Sequence, residues 1–145
     1  MTVLFTPLGL AYGALYSAVL LVRPHKVVVV TSREAVGSLY AALDAARFYH
    51  PSFEVESHTL DDALAGFEEG RLLAKFLVRS GTDGDNVVNL SGGTLVLQDC
   101  ARSTAYALRH EGKPVREIAV VDRRTPEEQR RLPFVVGEMV EVPPL

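Results

Sequence analysis

Short runs of β-branched residues alternate along this chain with longer stretches in which apolar positions recur every three or four residues. The runs predict strands at Thr2 to Thr6, Lys26 to Thr31, Phe53 to Ser57, Asn86 to Leu90 and Arg116 to Asp122. The 3.6-residue spacing predicts helices from Leu8 to Val22, Arg33 to Phe48, Leu60 to Arg79 and Thr94 to His110. Thr59 and Asp62 have the spacing of a capping box ahead of the third helix, and Gly112 then Pro114 close the fourth. The final "LPFVVGEMVEVPPL" reads as one or two edge strands, because its prolines would break a central ladder. Alternation of this kind buries a parallel sheet between helices. The fold class is therefore α/β, a Rossmann-like doubly wound, mainly parallel sheet of about six strands with helices on both faces.

Composition adds that 145 residues, 48% of them apolar, make a single domain spanning 1–145 with a core of ordinary size. The longest apolar stretch, Leu8 to Val22, contains Gly9, Gly13 and Ser17 and falls short of the ~20 apolar residues a membrane helix requires, so no membrane contact is expected. The N-terminus lacks a signal-peptide pattern, and the lone Cys100 has no internal partner for a disulfide, which points to the cytoplasm. A net charge of -3 with signs mixed throughout excludes duplex DNA as a partner. A small anionic ligand stays open, since backbone N–H groups can hold phosphate without global positive charge.

In doubly wound sheets, ligands bind beyond the carboxyl ends of the strands. Four loops fall on that rim: "TPLGLAYG", "TSRE", "NLSGGT" and "DRR". None carries a phosphate-binding Gly-Lys-Ser/Thr, a G-x-G-x-x-G fingerprint or a G-x-S-x-G elbow. The four histidines are scattered and Cys100 lies on the apolar side of a helix, so neither a metal nor another cofactor is implied. In "NLSGGT", Asn89, Ser91 and Thr94 flank the bare backbones of Gly92 and Gly93 at a helix N-terminus. That suits a tight strand-to-helix turn, and it equally suits a phosphate or a ribose hydroxyl.

With "TPLGLAYGAL" after the first strand, "VVVVTS" ending in Thr31 and Ser32, and "NLSGGT" after the fourth, the chain resembles the CARF domains. These are Rossmann-like sensors of cyclic oligoadenylates in type III CRISPR systems, and their second loop typically reads Asn or Asp, any residue, Ser or Thr, then glycines. The resemblance implies a homodimer that shares one pocket for a ring of four or six adenylates, cyclic tetra-adenylate foremost. On the matching positions it implies ligand contacts from Thr6, Leu8, Gly9, Thr31, Ser32, Asn89, Ser91, Gly92, Gly93 and Thr94. With no effector segment before Leu145, it also implies a ring nuclease that cleaves the signal without metal, by 2′-hydroxyl attack.

Ring nucleases of the family often carry a serine where Ala11 stands and a lysine or arginine where Leu95 stands. Tyr12, Arg102 and Arg123, the last beside Arg124, are the substitutes this chain offers as catalytic groups. A non-catalytic sponge or sensor, and a Rossmann-like domain for another nucleotide, remain as alternatives. The small residues Gly9, Ala11, Gly13, Ala14, Ser17 and Ala18 would let the first helix pack closely in a dimer. Loss of ring binding in an Asn89→Ala, Ser91→Ala double variant is the expectation that tests the site.

Overall fold

A computed structural model describes residues 1–145. The chain runs through β1 (Thr2–Leu8), α1 (Gly13–Val22), β2 (Lys26–Ser32), α2 (Leu39–Arg47), β3 (Glu54–Leu60) and α3 (Phe67–Leu77). It continues through β4 (Asp85–Asn89), α4 (Leu95–His110), β5 (Val115–Val121), α5 (Pro126–Arg131) and β6 (Glu138–Val142). One six-stranded sheet has the order β3-β2-β1-β4-β5-β6, parallel except for the antiparallel β6. The α/β, doubly wound expectation holds. No helix is long and apolar enough to cross a membrane.

The Lys26–Ser32 run "KVVVVTS" explains the sheet's centre, because successive side chains of a strand leave on opposite faces. Val27 and Val29 join Leu4, Leu8 and the inner sides of α1 and α2 in one core, while Val28 and Val30 join Val3, Phe5, α3 and α4 in the other. Both cores are closed by fully buried leucines, among them Leu15 and Leu43 on one side and Leu77 and Leu108 on the other. Cys100 is buried with the second group, and burial pushes its thiol up to about 12. It is a packing residue.

Several boundaries differ from the sequence expectation. The first and second helices begin later than their apolar patterns, since β1 extends to Leu8 and a short 3₁₀ turn at Val36–Ser38 precedes α2. Thr59 is not a helix cap, because β3 keeps its pairing with β2 to Leu60 and Asp62 instead accepts the N–H groups of Leu64 and Ala65 at 3.0 Å each. The "LPFVVGEMVEVPPL" segment yields one edge strand, β6, and the short α5 that precedes it, capped by Thr125 with Pro126 in its first turn, went unread. Gly112 closes α4 with φ 75°, as expected.

Residues 132–137, between α5 and β6, form a strap across the first half of α1. The Ser17 hydroxyl donates to the Val135 carbonyl at 3.3 Å and accepts the Gly137 N–H at 2.9 Å. A Cβ on Gly13 would stand 2.8 Å from the Pro133 oxygen. Phe134 packs on Tyr12 and Tyr16, with ring centroids 5.4 and 5.2 Å apart. The small residues Gly13 and Ser17 thus admit the chain's own strap.

On the edge strand β3, Glu56 is saturated with donors. His58 Nε2 lies 2.7 Å from it, the Ser80 hydroxyl 2.8 Å from each oxygen and Lys26 Nζ 3.0 Å away. Burial alone would raise its pKa, yet the bonds from His58, Ser80 and Lys26 outweigh it and hold the carboxyl at about 2. A depressed carboxylate stabilises the fold above its unfolded pKa and loses that contribution as pH falls through the folded value. Thermal unfolding should therefore show a fall in Tm from about pH 5 downward that is smaller in Glu56→Gln. Equal slopes in the two proteins would remove this network from the stability account.

Candidate functional site

β1 and β4 lie side by side, but α1 leaves β1 toward one face of the sheet and α4 leaves β4 toward the other. Their carboxyl ends thus flank the crevice where a doubly wound sheet binds ligands. Two turns meet there. A Cβ on Gly9 would stand 2.6 Å from the Gly93 Cα and 2.7 Å from its nitrogen, so the first loop touches the fourth backbone to backbone. Gly92 and Gly93 hold φ of 94° and 78°, a left-handed pair that side-chain-bearing residues rarely adopt.

The turn is fixed from three directions. Asn89, fully buried at the end of β4, donates to the Thr6 hydroxyl at 3.0 Å and accepts the Ser91 N–H at 3.1 Å. Ser91 reaches sideways to β5, where its hydroxyl accepts the Val120 N–H at 2.7 Å and donates to the Val120 carbonyl at 3.2 Å. Thr94 caps α4 by accepting the Leu97 N–H at 3.3 Å, and donates its own proton to the Ala63 carbonyl. The hydroxyl of Thr31 donates to Leu8 at 2.8 Å, and that of Ser32 accepts the Ala35 N–H at 3.1 Å.

Every predicted ligand-binding residue therefore lies in or under this rim. The side chains of Thr6, Leu8, Thr31, Ser32 and Asn89 are buried, however, and their polar atoms already serve the scaffold. What the rim leaves free is backbone: the N–H groups of Gly92, Gly93 and Thr94 donate to no acceptor in the chain. They precede the 16-residue α4, whose N-terminus carries partial positive charge.

Around the turn stand three exposed leucines. Leu10 follows Gly9, Leu64 follows the Ala63 that accepts from Thr94, and Leu95 opens α4; they are 71%, 81% and 70% exposed. Sequence periodicity had no means of singling out Leu10 and Leu64, since an exposed leucine in a loop carries no period.

The candidate catalytic groups scatter. Tyr12 stands at the N-cap of α1 beside the rim, its ring against Phe134 and its hydroxyl without a hydrogen bond in the chain. Arg102 lies in the middle of α4, and its Nε is 3.5 Å from the Glu117 carboxylate on β5, so the structure does not bring it to the turn. Arg123 is at the rim end of β5, mostly exposed and 3.1 Å from Glu138. Arg124 forks onto Asp122 at 2.8 Å and thereby holds that carboxyl below its ordinary range. No group of three or more His, Cys, Asp or Glu gathers as a metal site would need.

No family model matches the sequence, and no curated protein matches it. Solved structures do. Can2 from Sulfobacillus thermosulfidooxidans, in complex with cyclic tetra-adenylate, aligns with TM-score 0.65 at 13% identity, over 83% of this chain and 32% of that one. Enterococcus italicus Csm6, bound to cyclic hexa-2′-fluoro-hexa-dAMP, aligns with TM-score 0.62 at 14% identity, over 92% of this chain and 37% of that one. The chain spans about a third of either protein's length. At such identities the likeness carries the fold alone, a doubly wound Rossmann-like arrangement.

Proposed function

We propose that the rim binds a cyclic oligoadenylate, with a ring phosphate on the N–H groups of Gly92, Gly93 and Thr94 at the positive end of α4. The observation that carries this reading is the run of three unused donors in the switch-point crevice. Donors without a partner in the chain call for water or a ligand, and a phosphate at a helix N-terminus gains from both the hydrogen bonds and the dipole. Support comes from the two neighbours of the same fold, each solved with a cyclic oligoadenylate. The role implied is in type III CRISPR signalling, where taking the ring out of solution quiets the response.

The chain acts in this reading as a homodimer. A ring with two-fold symmetry is matched by an isologous pair that uses one set of loops twice, and Leu10, Leu64 and Leu95 supply apolar surface around the turn for that contact. Cyclic tetra-adenylate is the ring we assign.

Cleavage is the second reading, favoured by the uncommitted hydroxyl of Tyr12. A ribose 2′-oxygen would attack the adjacent phosphorus while its proton passes to water, the 2′,3′-cyclic phosphate would form as the P–O5′ bond breaks, and the 5′-oxygen would leave and take up a proton. The turn would align the phosphate and stabilise its developing charge, and Tyr12 would supply the proton.

Purified protein in excess over cyclic tetra-adenylate or cyclic hexa-adenylate, in EDTA, tests both readings at once. Tight binding of the tetramer with linear products ending in 2′,3′-cyclic phosphate, abolished in Tyr12→Phe, is the result expected of a ring nuclease. Tight binding without products would leave a sponge or sensor. Absence of binding would overturn the site and leave a Rossmann-like domain for another nucleotide.

A further inference from the structure

A second concave site lies away from the rim, between the C-terminal half of α4 and the β5–β6 ribbon. The cavity holds about 370 Å³, at the small end of ligand sites. Its base is Glu117, whose side chain is only 3% exposed. Arg109 Nη1 stands 2.8 Å from one carboxylate oxygen and Arg102 Nε 3.5 Å from the other. Its wall is Tyr106, 73% exposed, with the ring stacked nearly parallel to that of His110.

A buried carboxylate needs a counter-ion, so one arginine is accounted for by the fold. The second is not. Glu117 is the sole acidic side chain of the lining, which Pro144 and Leu145 complete, and its single carboxylate is shared by two guanidiniums. Only one guanidinium N–H of Arg109 is committed, and Arg102 makes no hydrogen bond within the chain. Glu117 thus fixes the two forks while most of their donors remain unused, and forks so placed match the oxygens of a phosphate. An exposed, flat tyrosine next to them offers a stacking face.

We propose that this cavity is a binding site for a planar phosphate monoester, a nucleoside monophosphate in size, with Arg102 and Arg109 on the phosphate and Tyr106 on the base. The site is separate from the rim and stands whether or not the rim binds a ring.

Titration of the full chain with AMP, inorganic phosphate and adenosine, followed by amide NMR shifts, tests it. AMP should give saturable shifts centred on Arg102, Tyr106 and Arg109, and should bind more tightly than phosphate. Tyr106→Ser should weaken AMP about fivefold or more while leaving phosphate unchanged, as loss of a stacking face requires. Arg102→Gln should weaken both by about tenfold, the scale of a charge-assisted contact. Both variants keep the Arg109 to Glu117 pair, so the fold is retained, which an unchanged amide spectrum away from the cavity checks. AMP binding no tighter than phosphate, shifts confined to the Gly92-Gly93 turn, no saturable shift, or unchanged AMP affinity in the two variants would each overturn the assignment.

Discussion

Gly9→Ala should abolish measurable order in the rim's two-turn contact, lowering stability by about 1–3 kcal/mol, the usual cost of overpacking, and weakening the ring by about tenfold or more. The added Cβ would stand 2.6 Å from the Gly93 Cα, and the neighbour is backbone that cannot rotate away. Either the first loop lifts off or the glycine turn shifts, and both misplace the N–H groups of Gly92 and Gly93. Urea unfolding gives the stability change, and calorimetric titration with cyclic tetra-adenylate gives the affinity. Gly37→Ala is the control, because nothing lies within 4 Å of its Cβ position. Its effect should stay within about 0.5 kcal/mol, as at other surface positions. Equal behaviour of the two variants would show that the contact does not hold the turn.

The second large effect belongs to Asn89 and Ser91. Asn89→Ala removes a buried amide that joins β1 to the turn, and Ser91→Ala strips both Val120 groups of their partner on β5. Asn89→Ala leaves the buried Thr6 hydroxyl without its donor and Ser91→Ala leaves the half-buried Val120 N–H and carbonyl without a partner, at a cost of about 1–3 kcal/mol each, and the two are coupled because both bonds position residue 91. The expected result is a marked loss of stability without any ligand present, with ring affinity falling as the turn loosens. Urea unfolding of the ligand-free single and double variants measures it. Unchanged stability with lost binding would instead make the Ser91 hydroxyl a direct ligand donor.

The difference between those outcomes marks where sequence reasoning stopped. The "VVVVTS" run and the glycines of "NLSGGT" predicted the parallel sheet and the rim, since β-branched runs and positive-φ turns are written locally. The partner of Ser91, Val120, lies 29 residues away and has no local signature. Thr59 was misread because β3 is an edge strand whose exposed positions carry polar residues, which resemble a helix approach. The start of α5 was legible in Thr125-Pro126-Glu127-Glu128, a cap followed by proline and acidic residues. Arg102 lies on α4, where its partner is Glu117 on β5, a contact with no local signature.

The strap over α1 also bears on the order of events in folding. Its bonds to Ser17 join residues 118 and 120 positions apart, nearly the whole chain. The entropy of closing a loop grows with its length, so such contacts are costly to form before the intervening sheet exists. The strap should dock late in folding and detach early under stress. When it detaches, Tyr12 loses the ring of Phe134, and the first loop of the rim loses a neighbour while the sheet beneath it is still intact. Local opening of residues 132–137 would then loosen the ligand face at a free-energy cost well below that of global unfolding.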